Sequence, residues 1–230
     1  MTSRDVKNTM ARVLPDLLAP HYCASCGDVG ALLCEHCKYD IINDPYDRCV
    51  VCGRPVATAA NLCTRCHPPY SRAWCVGERA EALKSLMNVY KFDRARAGYR
   101  ALADLLDATL PLLPLETVVV SVPTIAPHLR RRGYDHAWLV AKQFAHLRHL
   151  TATHPLVRQT HVSQTGASRA QRIAQAKTAF ACRPLNGGRY LLVDDVYTTG
   201  ATLQWAAHTL LEAGATEVWV AVLSRQSLEK

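Results

Sequence analysis

The chain has 230 residues, a formal net charge of +8 and 10 cysteines. This length allows one full hydrophobic core plus a small module, and the positive charge favours anionic partners such as nucleic acid or phosphorylated metabolites, although solubility alone explains it equally well. No run approaches the ~18 apolar residues of a membrane helix, and cysteines without a secretion signal favour bound metal over disulfides, so we expect a cytoplasmic protein.

Residues 1–20 are predicted to form a short packing helix. Apolar side chains such as Val6 and Met10 recur on one side of it, and Pro20 ends it. Pro15 interrupts any apolar stretch of the kind found in a signal peptide.

Four Cys-x-x-Cys pairs follow within residues 21–69, which we predict to be a double zinc-binding module. The cysteines are Cys23, Cys26, Cys34, Cys37, Cys49, Cys52, Cys63 and Cys66. Two pairs complete one tetrahedral Cys₄ site, and Gly27 and Gly53 allow tight knuckle turns. Sequential pairing onto two ions is the simplest arrangement, and an interleaved one stays open. Metal binding would supply most of the folding free energy, so we expect Cys49→Ser to unfold this module alone.

Residues 70–230 are predicted to form a second, α/β domain. Short apolar strands alternate with amphipathic helices, which is typical of a mostly parallel sheet. Strands are predicted around 73–77, 117–122, 191–193 and 217–223, with helices around 78–91, 98–110 and 137–145 and after 202. Residues 151–188 show few strand signals, and a capping box predicts a helix over 169–177.

The run from Tyr190 to Thr202 is the strongest candidate site. A buried strand leads to Asp194 and Asp195, and a turn follows whose residues Thr198, Thr199, Gly200, Ala201 and Thr202 open the next helix. The free N–H groups and hydroxyls of such a turn suit a phosphate. The two carboxylates can accept hydrogen bonds from vicinal ribose hydroxyls. We therefore expect a sugar-phosphate site here rather than solvated acids at a strand end.

A second anion-binding arrangement is predicted around Arg132 and Gly133. They lie in a loop between a predicted strand and a helix, and arginine makes charge-assisted bonds to phosphate oxygens. A solvated basic turn is the alternative.

The 190–202 run resembles the phosphoribosyltransferase signature. The resemblance implies that Asp194 and Asp195 hold the ribose hydroxyls of phosphoribosyl pyrophosphate, that residues 198–202 bind its 5′-phosphate, and that Mg²⁺ accompanies the ligand. It implies the fold of a type I phosphoribosyltransferase-like domain. A reaction does not follow from it.

Taken as a whole, the chain resembles the ComF family, which joins an amino-terminal zinc module to a phosphoribosyltransferase-like domain. The resemblance rests on the paired knuckles, Lys91-Phe92, Arg132-Gly133-Tyr134, Gln164 with Arg169 and Arg172, Ala179-Phe180 and the 191–202 signature. Asp135 stands where that family usually has asparagine, which places a negative charge beside the predicted phosphate site. Gln175 stands where it often has asparagine.

The family resemblance implies a cytoplasmic role in natural transformation, with single-stranded DNA and DNA-uptake proteins as partners. Basic residues predicted to contact DNA are Lys91, Arg94, Arg96, Arg100, Arg130 and Arg131. Nearby aromatic residues such as Phe92 and Tyr99 could stack on bases. Two alternatives stay open: an active phosphoribosyltransferase with an unknown co-substrate, and a regulator that senses phosphoribosyl pyrophosphate without chemistry.

Overall fold

A computed structural model describes residues 21–56, 60–78, 81–92, 96–159 and 179–226. The elements, numbered along the chain, are helices α1 (Glu35–Asn43), α2 (Glu81–Phe92), α3 (Gly98–Thr109), α4 (Ala126–Arg132), α5 (His136–Leu147) and α6 (Ala201–Glu212), and strands β1 (Arg72–Glu78), β2 (Val118–Ser121), β3 (Thr151–Thr153), β4 (Leu156–Arg158), β5 (Phe180–Cys182), β6 (Arg189–Tyr197) and β7 (Glu217–Arg225). The helices predicted over 1–20 and 169–177 lie outside the described residues. Within the described ranges, no helix has the length and apolar character of a membrane-spanning segment.

Five strands form one parallel sheet in the order β1-β7-β6-β2-β3. The central strands β6 and β7 are buried over most of their length. Parallel neighbours cannot be joined by tight turns, so helices make the crossovers between them. The predicted α/β domain with a mostly parallel sheet is confirmed.

Alternate residues of the central strands point into two separate apolar layers. On one face, Leu191 and Trp219 pack with the buried sides of α3 and α5. On the other face, Leu192 and Val220 pack with α6. Because both faces of the sheet are covered, the side chains on both sides of its central strands are apolar. These continuous apolar runs are the pattern from which the strands were predicted.

One prediction about a loop was wrong. The residues before Gly133 form α4, which has a proline in its first turn and ends at Gly133 in the left-handed conformation (φ 80°). The few strand signals of 151–188 correspond to three short strands in its described parts, 151–159 and 179–188: β3 joins the edge of the sheet, and β4 pairs with β5 in a separate antiparallel ladder. Each has three residues, which is too short to show a period of two.

The cysteine-rich module packs against the α/β domain through buried polar contacts. Arg225 on β7 is 3% exposed and donates to the carbonyl oxygens of Val50 (2.6 Å) and Val51 (3.2 Å). Asn61 accepts a hydrogen bond from the backbone N–H of Cys75 on β1 (3.0 Å). The division of the chain at residue 70 stays a prediction, and these contacts cross it.

Candidate functional site

The carboxyl ends of β2 and β6 border an open cavity of about 360 Å³. β2 ends at Ser121, opposite Val193, so β6 runs on beyond its neighbour and carries Asp194 and Asp195 into the cavity wall. The strand was predicted to end before these acids, whereas it continues through them to Tyr197. This edge of a parallel sheet is where ligands bind in such folds.

Acidic, basic and hydroxyl side chains line the cavity together. They are Lys91, Thr124, His136, Arg158, Asp194, Asp195, Thr198 and Thr202. Four of the predicted sugar-phosphate residues are therefore brought to one volume. Thr199, Gly200 and Ala201 lie in the adjoining turn and do not line the cavity wall.

Asp195 is held by two basic side chains. Its Oδ2 accepts from Nε2 of His136 (2.7 Å) and forms an ion pair with the ammonium group of Lys91. Burial would raise the pKa of Asp195, but the hydrogen bond from His136 and the charge of Lys91 outweigh it and hold the pKa below its usual value. Asp195 is therefore a carboxylate over the whole working pH range of a protein.

The other nitrogen of His136 is held by a second chain of contacts. Nδ1 lies 3.2 Å from the hydroxyl of Thr124, and this hydroxyl donates to Asp135 (2.9 Å). Which of the two atoms donates in the contact between this hydroxyl and Nδ1 depends on the tautomer of the ring. His136 is thereby fixed in orientation against Asp195.

Asp194 has a different environment from its neighbour. Its Oδ1 accepts from the backbone N–H of Asp195 (2.8 Å). Burial, together with the negative charge of Asp195, raises the pKa of Asp194 to about 8. Two adjacent acids thus differ in charge near neutral pH. The positive charges of Lys91 and Arg158 lower the pKa of Asp194, but by less than burial and Asp195 raise it.

Gly200 gives the turn its shape. It is buried, adopts φ 76°, and caps α6 without a side-chain hydrogen bond. A Cβ atom at this position would lie 2.0 Å from the hydroxyl oxygen of Tyr197. The glycine is therefore required for packing, and its predicted close approach to a ligand stays a prediction.

The predicted role of Arg132 and Gly133 beside the pyrophosphate stays a prediction. Gly133 ends α4 and donates from its N–H to Leu129 (2.8 Å), and it does not line the cavity. The side chain of Arg132 lies outside the described atoms. Asp135, two residues later, is the N-cap of α5 and accepts from the N–H of Trp138 (3.2 Å).

The predicted DNA-contacting residues divide between two places. Lys91 lies in the cavity, and Arg94 lies outside the described residues. Arg96, Arg100, Arg130 and Arg131 are exposed, and we call these four the basic surface. Arg131 of α4 lies over the ring of Phe92 at the end of α2, with 5.5 Å from guanidinium to ring centroid. This contact joins two basic clusters that are far apart in the sequence.

Three polar cavity residues were missing from the predicted site: Thr124, His136 and Arg158. One signal could have pointed to His136, which directly follows the Arg-Gly-Tyr-Asp run. Arg158 was recognised only as part of a basic segment, because β4 was not predicted. It lies over Phe180 of β5 (5.3 Å), which holds it at the cavity wall.

The cysteines form two groups of four, in the sequential arrangement: Cys23, Cys26, Cys34 and Cys37, then Cys49, Cys52, Cys63 and Cys66. All sulfur atoms within each group lie within 4.8 Å of one another. The Cys26–Cys34 sulfur distance is 3.6 Å and the Cys52–Cys63 distance is 3.7 Å. A tetrahedral zinc ion with Zn–S bonds of about 2.3 Å requires edges of about 3.8 Å. The residues therefore fit two structural metal ions.

Comparison with known proteins finds relatives named for DNA utilization and competence. It is 29% identical over 224 residues to the DNA utilization protein YhgH of Salmonella typhi, covering 84% of this chain and 96% of that protein. It is 30% identical over 208 residues to competence protein F of Haemophilus influenzae, covering 84% and 90%. The chain belongs to the ComF family. A further ComF relative, competence protein ComFC of Bacillus subtilis, is 26% identical over 200 residues, with 79% of each chain covered.

No protein-family model matches the chain. Among solved structures, Leishmania donovani UMP synthase is similar with a TM-score of 0.38 and 18% identity, covering 63% of this chain and 25% of that one. The allosteric regulatory enzyme of purine biosynthesis is similar with a TM-score of 0.40 and 23% identity, covering 54% and 25%. The parallel sheet and the two cysteine groups confirm the predicted α/β domain with a mostly parallel sheet, preceded by a cysteine-rich module.

Proposed function

We propose that this ComF protein handles incoming single-stranded DNA in the cytoplasm during natural transformation, and that its α/β domain binds phosphoribosyl pyrophosphate or a similar sugar phosphate. The observation that carries the second part is the cavity in which the acid pair, two threonine hydroxyls and Arg158 face one volume. Carboxylates suit vicinal hydroxyls, whereas the guanidinium and the helix start suit phosphates. We also propose that zinc is the metal of both cysteine groups and that Mg²⁺ accompanies the ligand's pyrophosphate.

The sugar-phosphate part is tested by calorimetric titration of the zinc-loaded protein with phosphoribosyl pyrophosphate. Thr198→Val replaces a cavity-lining hydroxyl by a methyl group of similar size. We expect it to weaken binding roughly tenfold, because a hydrogen bond to a charged group contributes roughly 1.5–3 kcal/mol. Thr209→Val is the matched control, since its hydroxyl donates to Trp205 within α6 and does not line the cavity.

If Thr198→Val and Thr209→Val both bind phosphoribosyl pyrophosphate as tightly as wild type does, the ligand occupies another site. No binding to wild type would end the sugar-phosphate proposal. Elemental analysis of the same sample tests the metals, and a content well below two zinc ions per chain would contradict the zinc proposal.

The DNA part is supported by the names of the relatives and by the basic surface. Arg100 and Arg131 carry their charges on side chains that also contact Tyr99 and Phe92. Phe92 is 55% exposed, so an aromatic face and positive charge lie side by side. Proteins that bind single strands without sequence preference combine these two features.

Salt dependence tests the basic surface. Replacing Arg100 and Arg131 by alanine removes two charges, and we expect the log–log salt slope of single-strand binding to flatten by roughly 1.4, at about 0.7 per phosphate contact. The control replaces Lys84 and Lys142, two exposed lysines outside the basic surface. Equal slopes for the two double variants would show that the DNA lies elsewhere, and a wild type that retains no single strand at low salt would contradict DNA binding altogether.

The pKa of Asp194 supports a second candidate, an active phosphoribosyltransferase. An acid whose pKa is raised to about 8 lies in the range that proton transfer at neutral pH requires. Pyrophosphate release from phosphoribosyl pyrophosphate, measured with a panel of bases and amines, tests this candidate. Release that Asp194→Asn abolishes would favour the transferase, and its absence over the whole panel would favour binding without chemistry.

A further inference from the structure

The acid pair carries less negative charge than its two carboxyl groups suggest. Asp195 is neutralised by the ammonium group of Lys91, with His136 on the same carboxylate oxygen. Asp194, whose pKa is raised, holds its proton near neutral pH. A divalent cation such as Mg²⁺ binds through unpaired carboxylates and retains several waters. The residues present therefore do not fit a divalent ion held by the acid pair itself.

The side chain of Lys91 is largely buried within this site. It lies in the last turn of α2, where the negative end of the helix dipole favours a cation. Its side chain is 11% exposed and that of Asp195 is 18% exposed. A lysine that has lost most of its contact with water stays charged only beside a partner. Separating the two would leave both charges poorly solvated, so they remain paired.

We propose that Lys91 is the resident counter-cation of the acid pair, so that the pair binds sugar hydroxyls directly and excludes a divalent metal. The statement about sugar hydroxyls rests on the proposed function, whereas the exclusion of metal does not. Any Mg²⁺ in the complex would then be carried by the ligand's own pyrophosphate.

A neutralised acid pair also solves an electrostatic problem. A sugar phosphate is a polyanion, and two bare carboxylates in a half-buried wall would repel it. Like charges a few ångströms apart repel strongly where the effective dielectric constant lies well below that of water. With Lys91 on Asp195 and Arg158 across the cavity, the wall keeps acceptors for hydroxyl groups without that repulsion.

The experiment titrates Mn²⁺, as a substitute for Mg²⁺, into the zinc-loaded protein and measures free Mn²⁺ by electron paramagnetic resonance. Wild type should show no Mn²⁺ site that Asp195→Asn removes. Lys91→Met keeps the length of the side chain and removes its charge. It should tighten Mn²⁺ binding by more than about tenfold, since a unit charge a few ångströms away is removed. Lys84→Met is the control, on the exposed side of the same helix, and should leave Mn²⁺ binding unchanged.

Two results would overturn the proposal: a wild-type Mn²⁺ site that is lost in Asp195→Asn, or no gain of Mn²⁺ affinity in a folded Lys91→Met. If circular dichroism shows that Lys91→Met does not fold, the comparison of wild type with Asp195→Asn still decides.

Ribose 5-phosphate provides a separate arm, because it has the phosphate and the hydroxyls but no pyrophosphate. We expect it to bind wild type equally with and without added Mg²⁺, and binding that requires Mg²⁺ would overturn the proposal. A ribose 5-phosphate that never binds would contradict the proposed function, while the Mn²⁺ result would stand.

Discussion

Asp135 shows how one residue can carry a charge that serves the fold. Its carboxylate caps α5 through the N–H of Trp138 and accepts the hydroxyl proton of Thr124. Aspartate and asparagine are both strong N-cap residues, so the departure from the family pattern preserves the cap. The negative charge that the sequence placed beside a phosphate site therefore has two donors of its own.

Asp194 should make the protein less stable as the pH rises. Its pKa is about 8 in the folded chain and about 3.9 when unfolded. Between these values the native state binds one proton more, so the free energy of unfolding falls with increasing pH. Asp194→Asn cannot ionise, and we expect it to gain roughly 1–3 kcal/mol over wild type at pH 8.

Denaturant melts of Asp194→Asn and wild type at pH 4, 6 and 8 check this sign. The difference should be smallest near pH 4, where the wild-type acid is protonated in the native state and about half protonated in the unfolded state. A gain of the same size at every pH would show that the effect is not one of ionisation.

Gly200→Ala should destabilise the protein through its contact with Tyr197. The substitution adds a Cβ at φ 76°, 2.0 Å from the Tyr197 hydroxyl oxygen, and we expect a loss of roughly 2–4 kcal/mol. Gly188→Ala is the control, since it has φ 89° and nothing within 4 Å of the added atom. Thermal melts of the two variants should differ, and equal losses would mean that backbone conformation alone decides. Loss of ligand binding in a Gly200 variant is therefore no clean test of phosphate contact.

Elements with a long apolar pattern could be predicted from the sequence, and the others could not. The buried run of β7 and the period of α6 identify their elements because both faces of the sheet are covered. β3, β4 and β5 have three residues each and show no period. The short helix α4 was predicted as a loop, because its three consecutive arginines show no apolar period.

The site residues, too, divide into those that the sequence could predict and those that it could not. Asp194, Asp195 and the threonine turn share one stretch of chain, so their chemistry was visible together. Lys91 and His136 reach Asp195 from α2 and α5, and only the packing of helices on the sheet brings them there. Sequence reasoning therefore assigned Lys91 to the DNA surface by its neighbours in the chain.

Asn61 lies in the loop that joins the module to β1, and replacing its side chain should lower the free energy of unfolding. Asn61 is 7% exposed, donates to the carbonyl of Tyr46 (2.5 Å) and accepts from the N–H of Cys75. Asn61→Ala leaves two buried backbone groups without their partner, so we expect a loss of roughly 2–4 kcal/mol in a urea melt. Asn43→Ala removes an exposed hydrogen bond to Tyr39 and should cost well below 1 kcal/mol. Similar losses would contradict the argument.

At the scale of the whole molecule, the module and the α/β domain share their cores. Cys23 and Leu33 belong to the apolar layer that contains Trp219, whereas Tyr46 and Val50 belong to the layer that contains Val220. The module thus covers part of both layers. This packing argues against the expectation that the module unfolds alone.

Cys49→Ser distinguishes the two expectations. All 4 tryptophans lie after residue 70, so their fluorescence reports on the α/β domain. We expect this substitution to lower the midpoint of the fluorescence melt by at least about 5 °C, because disrupting a metal site that packs on the domain removes a few kcal/mol. Cys182→Ser, outside both cysteine groups, is the control. An unchanged tryptophan melt beside a degraded module would show that the two parts unfold independently.

The position of β7 in the sheet has a consequence for synthesis on the ribosome. β7 lies between β1 and β6 and is the strand that pairs with β1. Arg225, which holds the carbonyl of Val50, is 175 residues further along the chain. At 5–20 residues per second, the module and β1 wait roughly 10–35 s for the strand that completes them. During that time the apolar side chains of β1 are open to other chains. We therefore expect a nascent protein halted before Glu217 to associate with chaperones, although both cysteine groups have already left the ribosome.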